Sequence, residues 1–451
     1  MTIRHRRCCM MIVAALSSIA LHLDSYAQEV RVLSLAEALR IADERNYDVL
    51  KAREYLEWTN GKYTEERAAA LPQITAAGTA QRSRDKSQLA LDPSLVGRQT
   101  AYGAQIGLSQ TLFSWGQVGA AIRAARIGMQ SSTEGVRLAR QAARRDVTEA
   151  FLDVLLAKEL LNIAGESLTQ KQRRLDEVRE RCRAGVATDY DVLASSVSVE
   201  NERPVVIRAE NLIRVALDRL RFLLGLEGED IDVVGSLEVI EIASPDFEES
   251  YALALENRPD LRELRHRIAM SGEYIRIVDA LDKPRIDLTG SYGWQGSRTD
   301  VWTGVADASD RERIDSHGGL WTVGLNVTWP FFDGLKSRGK TAQARSDLRT
   351  LALEEKKQRE AVALQIRQSV NGLKEAGEVL MALSGTVSQA ERLRAMAQQG
   401  YDLGVKIRLE VEDAELNLNQ ARGSLSSARR DYLVALANLE WAMGVLGESP
   451  R

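Results

Sequence analysis

The chain contains the same pattern twice, and this duplication limits its fold more than any other feature. Each copy has two short alternating segments followed by about seventy proline-free residues with helical periodicity. The copies are offset by 212 residues near the strands and by 219 residues near the helix ends. One composite unit built from two equivalent halves is therefore expected. The repeated positions are Asp48 and Pro72 with Asp260 and Pro284, and Gly185, Leu217, Leu220 and Gly225 with Gly404, Leu436, Leu439 and Gly444.

The first residues have the features of an export signal. Three arginines precede an apolar run at residues 10–23, and Ser25-Tyr26-Ala27 fits a small-x-small cleavage site. We interpret residues 1–27 as a secretory signal peptide. An uncleaved anchor is the alternative, but the run is shorter than the roughly 20 residues that a membrane-spanning helix needs. Of the three cysteines, Cys182 alone follows the signal, so no intrachain disulfide is expected.

Four segments alternate between apolar and polar residues, near 73–82, 102–112, 285–295 and 320–330. Period two with aromatic residues near the ends is typical of transmembrane β-barrel strands, although a soluble antiparallel sheet gives the same alternation. The polar stretches at 82–100 and 295–319 are interpreted as loops, the second containing His317. No run of 18 apolar residues follows the signal, so hydropathy predicts no transmembrane helix.

Residues 113–182 and 334–401 lack proline, and a continuous helix of that length would extend about 100 Å. Apolar residues spaced by seven, such as Ile366, Leu373 and Leu380, predict packing of helices side by side. Cys182 falls on a similar stripe and is expected to be a small buried hydrophobic residue. A second helix follows each long one, so each copy predicts a helical hairpin.

These signals divide the chain into a signal peptide, two repeats and a link. The first repeat covers 28–225 with a hairpin tip at 183–191, and the second covers 246–445 with a tip at 401–413. An inter-repeat link at 226–245 joins them, and a tail at 446–451 ends the chain. The predicted fold class is mainly α with β, in a duplicated strand-strand-long-helix unit.

The number of strands bears on the oligomeric state. Only closed barrels satisfy backbone hydrogen bonds in lipid, and the smallest outer-membrane barrels have about eight strands. Four strands cannot close alone, so two copies give the minimum and three give twelve. A trimer encloses a wider lumen and is preferred, but the count leaves the dimer open.

The ordered set of motifs, which occurs in both halves, resembles the TolC family of outer-membrane efflux and secretion channel proteins. The resemblance covers nearly the whole chain after the signal, and its most specific part is the hairpin-tip pattern. The motifs are LSLAEAL at 33–39, NRPDL at 257–261, LP at 71–72 and KP at 283–284, QTLF at 110–113, GVATDYDVL at 185–193 and GVKIRLEVED at 404–413.

The resemblance implies a homotrimer in the bacterial outer membrane, with a 12-stranded β-barrel in lipid and an α-helical barrel in the periplasm. An equatorial belt would include the inter-repeat link. Such a duct docks onto a periplasmic adaptor (membrane fusion) protein and an inner-membrane transporter of the RND or ABC type, which supplies the energy. The duct itself would be no enzyme and would need no cofactor.

By position relative to the tip glycines, the resemblance also implies a periplasmic gate at Tyr190, Asp191, Tyr401 and Lys406. Acidic constriction rings would form from Glu410 and Asp413. The chain departs from the family at three of these positions, with Tyr190 for threonine, Lys406 for arginine and Glu410 for aspartate. Acidic residues near a helix start also favour the positive end of its dipole, so a local role for the two ring residues remains open.

Other functions have little support. Residues 334–341 fit the P-loop pattern G-x-x-x-x-G-K-[ST], but the preceding strand alternates and an exported chain would not meet ATP, so we interpret the match as chance. After the signal only His266, His317 and one cysteine remain, so no zinc spacing can be written and no metal is expected. The mildly acidic net charge of −4 gives no footprint for nucleic acid.

Two functions remain from the sequence. The first is an exit duct of a tripartite efflux or type I secretion system, and the second is a periplasmic coiled-coil adaptor or scaffold without a pore. The aromatic-ended alternating strands favour the duct, since a soluble adaptor has no need of them. The sequence leaves the cargo open between drugs, metals and proteins.

Overall fold

A computed structural model describes residues 30–84, 98–239, 241–243, 245–302 and 311–447. The signal-peptide prediction lies outside these residues. In chain order the elements are β1 (Arg31–Leu33), α1 (Leu35–Arg45), α2 (Tyr47–Ala68), β2 (Gln73–Arg84), β3 (Arg98–Phe113), α3 (Gln117–Arg183), α4 (Asp189–Leu224), β4 (Ile231–Val233), α5 (Phe247–Asn257), α6 (Pro259–Asp279), β5 (Arg285–Trp302), β6 (Arg311–Thr328), α7 (Lys336–Asp402) and α8 (Arg408–Met443).

The duplicated strand-strand-long-helix unit is confirmed. In each copy two strands lead into a helix of 67 residues, α3 or α7, which is followed by a helix of 36 residues, α4 or α8. We call α3–α4 the first hairpin and α7–α8 the second hairpin. Both hairpins end at a repeated glycine, Gly225 with φ 64° and Gly444 with φ 77°. Only glycine adopts this left-handed conformation freely, which explains why the residue recurs at this position.

The chain divides into two compact units. One, the strand unit, consists of Lys51–Ala139 and Tyr251–Gln365. It contains an antiparallel sheet in the order β2-β3-β5-β6, so the two repeats meet at the β3–β5 pair. Within that pair Tyr102 lies opposite Gly296, where a Cβ would come within 2.7 Å of the tyrosine ring. The tyrosine therefore packs over a strand position that has no side chain.

The strands of the second repeat extend further than predicted. The interpretation of 295–319 as a loop was wrong for 295–302 and 311–319, because β5 continues to Trp302 and β6 begins at Arg311, and residues 303–310 lie outside the described chain. His317 therefore lies on β6, opposite Gly296. On both strands several of the alternating apolar side chains are exposed, among them Tyr292 at 70% and Trp321 at 72%.

The other unit, the hairpin unit, includes residues 30–50, 140–250 and 366–447 of the described chain. Its core is an apolar cluster that includes Leu33, Phe151, Leu220 and Ile231. The short strands β1 and β4 pair in parallel through this cluster, with Arg31 opposite Ile231. The start of the inter-repeat link is thereby held against the beginning of the first repeat.

Side-chain hydrogen bonds fix two further junctions of the hairpin unit. The Asn46 amide donates to the Leu223 carbonyl at 2.8 Å, which joins the end of α1 to the end of α4. The buried Tyr432 hydroxyl accepts a hydrogen bond from the Ala243 backbone N–H at 2.7 Å. Residues 241–243 of the inter-repeat link are therefore attached to α8.

Across the part of the chain that the structure describes, every helix is too short or too polar to span a bilayer.

Candidate functional site: the hairpin tips

The tip of the first hairpin is a tight turn built by local hydrogen bonds. Helix α3 ends at Arg183, Gly185 follows with φ 73°, and the Val186 N–H closes the turn by donating to the Arg181 carbonyl at 2.9 Å. Thr188 then caps α4, because its hydroxyl accepts from the Asp191 N–H at 3.3 Å. In return the Asp191 carboxylate accepts from the Thr188 N–H at 2.9 Å and from its hydroxyl at 2.7 Å. This reciprocal pair is a capping box.

The capping box alters the chemistry of Asp191. The pKa of its carboxyl is lowered, first by the hydrogen bond from the Thr188 backbone N–H and then by the Thr188 hydroxyl, since both stabilise the ionised form. Asp191 is therefore a fixed negative charge whose first role is to shape the start of α4.

The tip of the second hairpin uses the same turn with different side chains. Gly404 has φ 73°, and the Val405 N–H donates to the Gly400 carbonyl at 2.9 Å. Ile407 stands at the N-cap position, where it offers no side-chain acceptor. Glu410 supplies half of a capping box, because its carboxylate accepts from the Ile407 N–H at 3.0 Å.

Lys406 and Glu410 form an ion pair within this tip. The ammonium of Lys406 donates to the Glu410 carboxylate at 2.8 Å, and this contact lowers the pKa of Glu410 more than the Ile407 hydrogen bond does. A Cβ at Gly400 would meet the Lys406 stem at 2.8 Å, so the absence of a side chain there lets the lysine lie against the last turn of α7.

Two polar contacts join the tips. The Arg181 guanidinium donates to the Tyr401 hydroxyl at 3.5 Å, and Arg408 donates to the Asp191 backbone carbonyl at 3.4 Å. Both lie near the upper limit for a hydrogen bond, and such contacts are weak. The tips are individually rigid but only loosely linked.

The six predicted site residues therefore have different surroundings. Asp191 and Tyr401 lie in the inter-tip contacts, Lys406 and Glu410 pair within one tip, and Tyr190 is 78% exposed. Asp413 is exposed, and no hydrogen bond or ion pair to it is seen within the described chain. Thr188 also shapes the first tip, although it is not among the six predicted residues. The capping-box pattern Thr188-x-x-Asp191 in the sequence could have predicted this role.

Sequence reasoning missed the two arginines that cross between the tips. Arg181 lies in the last turn of α3 and Arg408 begins α8. In the second tip, the cation that contacts the first hairpin is Arg408, two positions after Lys406. The family match at Lys406 assigned no role to Arg408, so it gave no signal for this contact.

The prediction that Cys182 is a buried hydrophobic residue was wrong. The side chain is half-buried, and its Sγ lies 3.6 Å from an Asp189 carboxylate oxygen. Partial burial raises the pKa of the thiol, and the neighbouring Asp189 raises it further, so the thiol remains protonated at neutral pH.

The P-loop-like segment at 334–341 has a local explanation. The Asp333 carboxylate accepts hydrogen bonds from the Ser337 N–H, at 2.8 Å, and from the Ser337 hydroxyl. It thereby occupies the N-terminus of α7, where a P-loop would hold a phosphate. The Thr341 hydroxyl donates to Asp279 at 3.0 Å. Both hydroxyl-bearing residues of the segment are thus engaged by carboxylates.

Comparisons with known proteins identify the family. The model of the family described as "Outer membrane efflux protein" matches residues 38–226 and 250–445, which together are most of the chain. The chain is 24% identical to the outer membrane protein TolC of Vibrio cholerae over 423 residues, covering 92% of this chain and 91% of TolC. It is 26% identical to the alkaline protease secretion protein AprF of Pseudomonas aeruginosa over 356 residues, covering 77% and 71%.

Solved structures agree on the fold. The Campylobacter jejuni CmeC outer membrane channel superposes with a TM-score of 0.75 at 16% identity, covering 91% of this chain and 85% of CmeC. The family match favours the duct over the scaffold without a pore. The chain therefore belongs to the outer membrane efflux protein family, and it is an outer-membrane exit duct with a TolC-type fold.

Proposed function

We propose that the chain acts as a homotrimer that forms a passive exit duct of a tripartite efflux or type I secretion system, with a gate at the hairpin tips. The observation that most directly supports the trimer is the open sheet. Within the described residues β2 pairs only with β3 and β6 only with β5, so both edges of the sheet have unsatisfied backbone groups. Unpaired edges are liabilities that proteins cover or pair.

Three copies joined edge to edge give twelve strands, and a closed barrel satisfies every backbone group in lipid. The exposed apolar residues that alternate along β6 support a lipid-facing surface, among them Trp321, Val323 and Leu325, each at least 66% exposed. In water such a surface would raise the free energy of the folded protein, since apolar surface contributes to stability only when it is removed from solvent. In a bilayer it needs no further cover.

The partners follow from the family. TolC of V. cholerae is named as an outer membrane protein and AprF as a protein of alkaline protease secretion. We propose that this chain likewise receives cargo through a periplasmic adaptor from an inner-membrane transporter, which supplies the energy. The duct would catalyse no reaction and bind no nucleic acid.

The gate would consist of Tyr190, Asp191, Tyr401 and Lys406, with constriction rings from Glu410 and Asp413. The rigid tips and the two weak inter-tip contacts support this assignment, because opening would break few and long hydrogen bonds. Three copies of each acidic residue around one axis would attract cations and repel anions. Because Lys406 neutralises Glu410, we assign most of the selectivity to Asp413.

The test combines assembly, conduction and phenotype. The protein is expressed with its signal, fractionated and run on gels with and without heating, and the purified protein is added to a planar bilayer. We expect a heat-modifiable trimer in the outer-membrane fraction, and we expect the purified protein to conduct ions. We also expect deletion of the gene to alter drug susceptibility or the secreted proteome. Soluble periplasmic protein without conductance would overturn the proposal.

A further inference from the structure

Further from the tips, a stronger contact joins the two hairpins. Arg174 on α3 makes a two-pronged ion pair with Glu415 on α8, with donor-acceptor distances of 2.6 and 3.0 Å. The side chains are only 23% and 12% exposed. Two-pronged guanidinium–carboxylate pairs that are shielded from water are among the strongest polar contacts in proteins. This pair is shorter than either inter-tip contact.

Arg174 and Glu415 lie at a cleft between α3, α4 and α8. The cleft has a volume of about 810 Å³. Apolar residues on its walls remain exposed, with Val205 at 42% and Leu212 at 45% on α4, and Leu416 at 56% on α8. These side chains do not cover one another, so apolar packing holds α4 and α8 together poorly here.

The second hairpin, by contrast, is well packed against itself. Two clusters of small residues join α7 to α8 below Gly423. One is built from Ala390, Leu418 and Ala421, and the other from Ala397, Val411 and Ala414 with Tyr401. This part of the second hairpin can therefore move as one body.

From Gly423 onward, on the side away from the tips, other contacts hold the second hairpin to the first. At Gly423 a Cβ would lie 3.6 Å from Leu160 of α3, which marks the close approach of the two helices. Further up, Arg430 of α8 donates to Asp153 of α3 at 2.8 Å. An ion pair of Arg422 with Glu166 of α3, at 3.1 Å, lies beside Gly423, but its side chains are 35% and 50% exposed. Within the described chain the Arg174–Glu415 pair is therefore the shorter and better shielded of these two links.

We propose that the Arg174–Glu415 pair is the main clamp that holds the duct closed, and that the contacts shaping the tips add to it. This inference rests on the proposed function, because a clamp has meaning only in a gated duct. Breaking the pair would release the second hairpin below Gly423 to swing away from the first. The tips would then separate without any change at Asp191 or Lys406.

The test measures single-channel conductance in a planar bilayer for Arg174→Gln, Glu415→Gln and the charge-reversed double variant R174E/E415R. We expect the ratio of open to closed states to rise about fivefold or more in each single variant, in the range of typical conformational couplings. The double variant restores the pair in reverse and returns conductance toward that of the unaltered protein.

Two matched controls lie on the same helix. Lys171 is one turn away and lines the same cleft, but it pairs with Glu202 inside the first hairpin. Arg179 is exposed and pairs with Asp176 on its own helix at 3.2 Å. Neither Lys171→Gln nor Arg179→Gln breaks a link between hairpins, so both keep the conductance of the unaltered protein.

The possible outcomes distinguish a failure of the clamp proposal from a failure of the proposed duct function. An unaltered protein that does not conduct overturns the proposed function and the clamp with it. A conducting protein in which Arg174→Gln and Glu415→Gln leave conductance unchanged overturns the clamp alone. Equal increases in Lys171→Gln also overturn it, because the effect would then follow from any charge lost in the cleft. A gel assay for the heat-modifiable trimer confirms that each variant is assembled, and the double variant decides between lost pairing and lost folding.

Discussion

Replacing Gly225 by alanine tests how the first repeat is closed. Gly225 has φ 64°, and a Cβ there would lie 2.6 Å from the carbonyl oxygen of Arg45, the last residue of α1. Left-handed backbone costs an alanine about 1–2 kcal/mol. The clash adds an overpacking cost of about 1–3 kcal/mol. The carbonyl cannot easily retreat, because the Asn46 amide holds the neighbouring turn to Leu223.

Gly185→Ala is the matched control. Gly185 has φ 73°, and nothing lies within 4 Å of a Cβ built there, so only the backbone cost applies. We therefore expect Gly225→Ala to lower the free energy of unfolding by about 2–5 kcal/mol and Gly185→Ala to lower it by about 1–2 kcal/mol. Both proteins are purified in detergent, and their thermal transitions are followed by circular dichroism at one scan rate.

The comparison uses the rank order of the transition temperatures, because unfolding of a large membrane protein is rarely reversible. Gly225→Ala melts lower than Gly185→Ala, and both melt lower than the unaltered protein. Equal shifts for the two variants would refute the argument, since the contact with Arg45 would then contribute nothing.

Two further predictions concern the tip carboxylates. Asp413→Asn lowers cation selectivity, measured as the reversal potential in a salt gradient, more than Glu410→Gln does, because Lys406 already neutralises Glu410; the reverse order would contradict this assignment. Lowered pKa values at Asp191 and Glu410 mean that the stability these carboxylates give to their own tips is complete above the usual carboxyl pKa of about 4 and is lost only as pH falls through the lowered values. Conductance recorded from neutral pH downward therefore stays low until the solution is more acidic than about pH 4, whereas a rise in mildly acidic solution would show that other groups control the tips.

The repeat architecture could be predicted because its signals are local. The absence of proline permits long helices, and the repeated glycines mark left-handed turns that other residues adopt poorly. The extension of β5 and β6 could not be predicted, since residues near Arg298 and Asp315 are polar on both faces and carry no alternation. Those two side chains pair across the strands at 2.9 Å, which is a tertiary contact.

The tip contacts were harder to predict than the tips themselves. Lys406 lies in the turn before α8, and Arg408 is the first residue of α8. The path of that turn decides which of the two reaches the first hairpin, and a positional match to a family does not fix that path. Cys182 lies on an apolar stripe, yet its helix ends at Arg183, so too little helix follows to bury it. The Arg174–Glu415 pair joins residues 241 positions apart, and no local pattern indicates such a pair.

We propose that this exit duct is gated at its hairpin tips. The most direct measurement is the single-channel conductance of the purified protein in a planar bilayer, compared with Asp191→Asn and Lys406→Gln. Removing either charge loosens a tip that the hydrogen bonds of Asp191 or the Lys406–Glu410 pair now shape. We predict a small conductance for the unaltered protein and a larger one for both variants. Unchanged conductance in both variants would contradict the gate.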